Sequence, residues 1–203
     1  KVNIIAFKQN IGNLADIIYT EDRIEKFDVN DAQQGTNLLF NVDNISYDTP
    51  NRTMHGFRQM DWMCSELKKS TAKWKILANQ VVFSTYVLKG SFLGQVFPIH
   101  QAAGWDMYPL ERKRVIDTVN FYNIKNMVVL SGDIHVAMAF VVPSGTVPYD
   151  ATTGAGSAGV EFVCDNVVSG GIFGGMESYM YTNNKHLKYV NPKSTGYTIV
   201  NIT

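Results

Sequence analysis

Short apolar runs, separated by polar stretches, divide the chain into predicted strands. Ala15–Tyr19 has the pattern of a buried strand, and it leads into the charged residues 20–23. Trp74–Phe83 is a longer apolar run that only Asn79 and Gln80 interrupt. It predicts a central strand with polar residues near its carboxyl end. Further strands are predicted at Asn126–Ser131, Val136–Val142, Val160–Val168 and Gly196–Ile202.

Two segments carry apolar residues at helical spacing. In Gly56–Thr71 the apolar positions recur mostly one turn apart, and Lys68 and Lys69 fall in the last turn, where cations suit the helix dipole. A second amphipathic helix begins at Pro109, a residue favoured in a first turn, and is predicted to end near Asn123.

Residues that break the apolar patterns mark the predicted loops. The stretch 26–53 is rich in Asn, Asp, Gln and Thr and has no sustained period, which predicts a long surface excursion. The glycine-rich stretches 154–159 and 170–175 are predicted to be turns between strands. The second of them lacks the Lys-Ser/Thr pair of a phosphate-binding loop.

Two successive helix-then-strand units predict an α/β fold with the carboxyl ends of its strands on one side. No internal repeat is visible, and residues 1–203 are predicted to belong to a single domain. With 45% apolar residues in 203, the chain can bury a sizeable core.

Charge and cysteine content exclude several classes of protein. Eighteen Lys and Arg balance eighteen Asp and Glu, so the basic excess that drives binding to nucleic acid is missing. The longest apolar runs are far shorter than the roughly 20 residues of a membrane-spanning helix, and no transmembrane segment is predicted. Cys64 and Cys164 lack the spacing of zinc ligands and are predicted to be buried thiols.

Asp133 and His135 are the strongest candidates for chemistry. They follow an apolar strand, and Gly132 allows a sharp exit from it. A carboxylate and an imidazole two residues apart in a tight turn can both point at one metal ion. The tetrad alone is equally compatible with a plain turn that has a solvated Asp133 and a packed His135. Its position at the carboxyl end of a strand favours a ligand-binding site over a plain turn.

The order and spacing of several motifs resemble the alkaline phosphatase D (PhoD-like) family of calcineurin-like metallophosphatases. Lys185 stands where that family often has proline. The matching elements are residues 20–23, Arg52–Gly56, Gln59, Trp62, Leu67, Trp74–Phe83, Trp105–Tyr108 with Glu111 and Arg112, Leu130–His135, Val160–Phe162 before Ser169, Asn184–His186, and Gly196 with Tyr197.

The resemblance implies part of a four-layer α/β/β/α metallophosphoesterase sandwich with mixed sheets, whose metal centre hydrolyses phosphate esters. Iron and calcium are associated with the centre in this family, so Fe³⁺ and Ca²⁺ are the expected cofactors. Asp133 and His135 are the expected ligands. Asn79 and Gln80 stand where wider relatives have a ligating histidine, and their oxygens suit a hard ion such as calcium. Both amides are expected within about 8 Å of Asp133, because strands lie about 4.8 Å apart.

Other residues near the motifs have two interpretations each. Arg23 and Arg112 are both candidates to face the phosphate. Trp105 and Tyr108 either line the substrate mouth or, more commonly for such positions, pack in the core. Asp106 either supports the substrate and metal or caps the helix that follows. The resemblance alone adds His186 as a catalytic residue and Asn184 as a substrate contact.

The carboxylate-rich ligands that the family carries upstream of these motifs have no counterpart here. Residues 1–203 are therefore expected to be the carboxyl-terminal portion of a metallophosphatase domain, with the amino-terminal portion of the same protein as partner. The alternative is a non-catalytic secreted domain that keeps the fold for binding or structure. A secreted or periplasmic location is expected, and the Asn-x-Ser/Thr triplets at Asn44, Asn51 and Asn201 are compatible with it.

Overall fold

The strands and helices follow the apolar runs of the sequence. The computed structural model describes residues 5–22, 24, 52–92, 95–99, 104–168 and 175–203. Its helices are α1 (Gly56–Lys69), α2 (Pro109–Phe121) and α3 (Glu177–Asn183), and a 3₁₀ turn, Trp105–Met107, precedes α2. Both predicted helices are confirmed. The strands are β1 (Phe7–Ile11), β2 (Ala15–Tyr19), β3 (Trp74–Ala78), β4 (Leu88–Phe92), β5 (Gln95–Ile99), β6 (Met127–Ser131), β7 (Ala137–Pro143), β8 (Ser157–Val163) and β9 (Leu187–Asn191).

A seven-stranded mixed sheet, in the order β1-β2-β3-β6-β8-β7-β9, organises the described residues. The inner strands β2, β3, β6 and β8 run parallel, whereas β1, β7 and β9 join by antiparallel pairing. β4 and β5 form a separate antiparallel pair. The prediction of a mixed α/β sheet is confirmed, and the carboxyl ends of four strands meet at one edge.

One face of the sheet is covered by helices. Ile18, Leu77 and Val129 point from three neighbouring strands into a buried cluster that includes Met63 of α1 and Val115 of α2. All five side chains are fully buried. Since side chains of successive strand residues alternate between faces, this cluster fixes which side of each strand faces the helices.

The start of α1 is tied to α2 by polar contacts. The backbone N–H of Gly56 donates to Thr53 Oγ1 over 2.8 Å, and the N–H of Met54 donates to Glu111 Oε2 over 2.9 Å. Gly56 has a φ of +72°. Glycine adopts this left-handed conformation without steric strain, because it has no Cβ. The loop that enters α1 is therefore anchored on the other helix.

The opposite face of the sheet is apolar and lacks a helical layer among the described residues. Ala15, Ile76 and Val128 form its centre, and the only residue from outside the strands in that apolar cluster is Ile202 of the carboxyl-terminal tail. Away from the tail the face is open, with Phe7 54% exposed and Phe162 40% exposed. We refer to this surface as the open face.

The structure corrects three predicted strands. The strand predicted over Trp74–Phe83 ends at Ala78, because the N–H groups of Phe83 and Ser84 bond the Glu161 carboxylate and not a neighbouring strand. Gly196–Ile202 is not a strand, because this segment crosses the open face with no described strand beside it to form a hydrogen-bonded ladder. The last strand is β9, which precedes it. The strand predicted at Val160–Val168 runs instead over Ser157–Val163. Most of the predicted excursion 26–53 and of the glycine-rich stretch 170–175 lies outside the described residues.

None of the helices that the structure describes is long and apolar enough to cross a membrane.

Candidate functional site

Polar residues collect at the edge where the parallel strands end. β3 and β6 are parallel neighbours, and their pairing continues past their last residues. The N–H of Asn79 donates to the carbonyl of Leu130 over 2.8 Å, and the N–H of Gly132 donates to the carbonyl of Gln80 over 3.2 Å. The prediction that the ends of these two strands meet is confirmed, and Gln80 lies beside the turn that carries Asp133.

Asp133 and His135 sit in an unusual backbone conformation. Their φ angles are +71° and +60°, a region that side-chain-bearing residues seldom adopt, and each such residue costs on the order of 1–3 kcal/mol. The Asn166 side chain donates to the carbonyl of His135 over 3.3 Å and helps to hold the turn. Asp133 is exposed and His135 half-buried, so neither side chain lies in the core. Two strained positions in one short turn are typical of a functional site.

The two amides next to this turn have different surroundings. Asn79 is buried; its side chain donates to the carbonyl of Val81 and accepts from Trp105 Nε1 over 3.2 Å. Gln80 is exposed, and its Oε1 accepts from the N–H of Asp22 over 2.9 Å. An amide oxygen has two lone pairs, so each keeps one acceptor position for a ligand. Gln80 is the better placed of the two, since it faces solvent at the edge.

The aromatic residues before α2 are packed in the core. Trp105 is fully buried, with ring centroids 4.7 Å from His55 and 4.9 Å from Phe83. Tyr108 is 2% exposed, and the Arg52 guanidinium lies 4.8 Å from its ring centre. Of the two interpretations left open by the sequence, these contacts favour packing over lining a substrate mouth.

Asp106 does not cap α2. The helix begins after Tyr108 and has no side-chain cap, so the capping interpretation is wrong. One carboxylate oxygen of Asp106 instead pairs with the Arg112 guanidinium, and both side chains are largely buried. The other oxygen is buried without a hydrogen-bond partner. If Arg112 binds a phosphate, it must therefore do so while its guanidinium is also paired with Asp106. Arg23 lies outside the described residues.

A buried carboxylate that the sequence analysis did not single out joins two parts of this edge. Glu161, on β8, is fully buried, and it accepts hydrogen bonds from the N–H groups of Phe83 and Ser84 over 2.7 Å each and from Ser131 Oγ. Burial raises the pKa of this carboxyl, and the hydrogen bonds that it accepts oppose the rise. The available signal was a single carboxylate among the apolar residues of a predicted buried strand.

Asn184 and His186 bind the segment that follows β3 at Thr85 and Val87, a few residues beyond the Glu161 contacts. Asn184 is 2% exposed; its side chain accepts from the N–H of Val87 over 2.7 Å and donates to the carbonyl of Val87 over 3.0 Å. His186 Nε2 donates to the carbonyl of Thr85 over 2.6 Å. Burial lowers the pKa of His186, and the hydrogen bond to Thr85 opposes this shift. Both side chains contact backbone groups here rather than the carboxyl edge of the sheet.

The strand ends thus bring together Asp133, His135 and Gln80, with Asn79 just beneath them. Among the described residues, no group of three or more His, Cys, Asp or Glu side chains is arranged to hold a metal ion. Asp133 and His135 therefore do not form a complete metal site within the described part of the chain.

A mixed sheet with helices on one face and polar residues at the carboxyl ends of its parallel strands defines an α/β protein of the kind that binds ligands at that edge. The sequence model of the PhoD-like phosphatase family matches residues 3–203, and the chain belongs to this family. The family and the α/β fold class predicted from the sequence are both confirmed.

Two relatives show how much of a longer protein the chain corresponds to. It is 38% identical over 122 residues to alkaline phosphatase D of Bacillus subtilis (strain 168), an alignment that covers 60% of this chain and 20% of that protein. A solved structure described as the structure of PhoD is 29% identical and superposes with a TM-score of 0.75, covering 95% of this chain and 35% of that one. The chain spans about a third of the length of that structure.

Proposed function

We propose that the native protein containing this chain hydrolyses phosphate esters at a metal centre to which Asp133 and His135 contribute ligands. The observation that carries the proposal is the strained turn that holds these two side chains at the carboxyl edge of the sheet, in a chain of the PhoD-like phosphatase family. A carboxylate, an imidazole and the exposed amide of Gln80 are all groups that bind metal ions in proteins.

Calcium and iron are the proposed metals. Carboxylate and amide oxygens suit Ca²⁺, while a carboxylate together with an imidazole suits iron. A bound cation in such a centre makes hydroxide available near neutral pH and screens charge on the phosphoryl oxygens. The described residues do not complete the ligand set of such a centre.

The remaining ligands are proposed to come from an amino-terminal portion of the same protein, with residues 1–203 as the carboxyl-terminal portion of one domain. Three observations support this. The described donors are too few for a metal site, the chain covers 35% of the PhoD structure, and the open face exposes apolar side chains. Exposed apolar side chains on a sheet face are a common feature of interfaces.

The other predicted residues receive more limited roles in this proposal. Arg112 is the described candidate to bind the phosphate, and Asp106 orients its guanidinium. Arg23 remains a candidate for the same role by sequence alone. We propose that the remaining four act on the substrate only through the segments that they hold: Trp105, Tyr108, Asn184 and His186.

A second function, binding or structural and without catalysis, is favoured for this chain by itself because the described residues lack a complete ligand set. In both cases we propose a secreted or periplasmic location.

Chelation tests the proposed function. The native protein is expected to hydrolyse p-nitrophenyl phosphate or bis-p-nitrophenyl phosphate, to lose this activity in EDTA, and to regain it with Ca²⁺ and Fe³⁺. Activity toward either ester is the measurement, and magnesium alone serves as a control for non-specific rescue. Full activity after complete metal removal would exclude the metal centre, and the absence of activity toward both esters would favour the binding function.

The open face leads to a prediction about the isolated chain. Expressed alone, the chain is expected to aggregate or self-associate, and co-expression with the remainder of the protein is expected to give a single soluble complex. The reason is that open apolar sheet surface promotes association. Size-exclusion chromatography with light scattering measures both states. A monodisperse monomer of this chain alone would contradict the prediction.

A further inference from the structure

Glu161 occupies a position where a carboxylate is costly. Its side chain is fully buried between β6 and β7, and no described cation pairs with it. Replacing buried ionic groups by well-packed apolar ones is often neutral or stabilising. A carboxyl group that remains in such a place therefore needs a reason beyond stability.

The partners of Glu161 supply that reason. Phe83 and Ser84, which donate their N–H groups to it, follow the Asn79-Gln80 pair after β3. Ser131, which donates its hydroxyl, is the last residue of β6 and directly precedes the turn with Asp133. One carboxylate thus bridges the two chain segments that carry the candidate ligands, from beneath the edge of the sheet.

Glu161 is not itself placed as a ligand. Both of its oxygens already accept hydrogen bonds, from three donors in total, and its side chain has no exposed surface. The exposed groups at the edge are instead Asp133 and Gln80. Buried groups that orient ligands in this way commonly matter almost as much to metal sites as the ligands do.

We propose that Glu161 is a positioning residue, which holds the segment after β3 and the turn after β6 in register so that Gln80, Asp133 and His135 face one point. This inference rests on the proposed function for its catalytic consequence, but not for the contacts themselves. It adds a residue to which the family resemblance gave no role.

Glu161→Gln in the native protein is the direct test. The amide keeps the size of the carboxylate but has one acceptor oxygen, and its NH₂ group must face an N–H or hydroxyl donor. We expect kcat for p-nitrophenyl phosphate to fall by about 10–100-fold with KM little changed. Amide hydrogen exchange, measured by mass spectrometry, is expected to increase in residues 79–87 and 131–137.

Two further variants keep the test decisive. Ser131→Ala removes one of the three donors and is expected to give a smaller change in the same direction, and it decides the matter if Glu161→Gln does not fold. Glu177→Gln, at a partly exposed glutamate that pairs with Lys193, is the matched control and is expected to leave both readouts unchanged.

The outcomes separate this inference from the proposed function. Unchanged exchange in both segments would overturn the positioning role, whatever the activity. Increased exchange with unchanged kcat would show that Glu161 fixes the segments without serving the reaction, and would also overturn it. A native protein without phosphatase activity would refute the proposed function, while the exchange measurement would still report on the contacts of Glu161.

Discussion

Replacing Asp133 with Asn is expected to lower the phosphatase activity of the native protein at least about 100-fold and to reduce its metal content. Loss of a group that merely supports a ligand commonly costs 10–100-fold, and loss of a charged ligand should cost no less. Asn is the right replacement because, like Asp, it tolerates the left-handed conformation that this position adopts at a φ of +71°. The variant therefore removes the charge without adding strain to the turn.

The Asp133→Asn experiment has a matched control in Asp117→Asn. Asp117 is an exposed residue of α2 that pairs with Lys113 one turn away, a surface contact of little energetic consequence. We expect its variant to keep full activity and metal content, as measured by initial rates and by elemental analysis. Undiminished activity of Asp133→Asn would remove Asp133 from the site and leave its strained turn unexplained.

Trp105→Ala is expected to destabilise the protein by about 3–5 kcal/mol, as is usual for a large aromatic side chain removed from a core. Trp105 is fully buried, packs against His55 and Phe83, and donates to the amide oxygen of Asn79. Its removal leaves a cavity directly beneath the candidate site. The free energy of unfolding, measured in denaturant, gives the magnitude.

The control for Trp105 is Phe121→Ala, a large aromatic of α2 that is 81% exposed and should change stability by less than about 0.5 kcal/mol. A more conservative variant, Trp105→Phe, keeps most of the packing and loses the hydrogen bond to Asn79. If Trp105→Ala left stability intact but raised KM, the residue would line the substrate mouth after all. That result would contradict the core position described above.

Much of the fold could be predicted because the patterns that specify its strands and helices each lie within a short stretch of sequence. The apolar runs of β2, β3 and β6 and the helical spacing of α1 each lie within one short segment, and Pro109 marks the start of α2. The neighbouring positions of β3 and β6 also followed, since successive helix-then-strand units place parallel strands side by side.

What the sequence could not predict depends on contacts between distant residues. Asn184 binds the backbone of Val87, 97 positions away, and Glu161 binds backbone N–H groups of a segment 77 positions earlier. The identity of a residue does not show which backbone groups it will contact. The family resemblance therefore suggested a substrate contact for Asn184, and it included Glu161 in a matching element without giving it a role. The pattern of Gly196–Ile202 is that of a strand, but a strand also requires a neighbour, and no described strand pairs with it.

The central claim, that Asp133 and His135 bind metal in the native protein, is tested most directly by diffraction from its crystals at the absorption edge of the bound metal. We expect an anomalous peak about 2.0–2.6 Å from both the Asp133 carboxylate and the His135 imidazole, or two neighbouring peaks that each contact one of them. If crystals of active protein showed metal peaks only at positions away from both side chains, the claim that Asp133 and His135 bind metal would be contradicted.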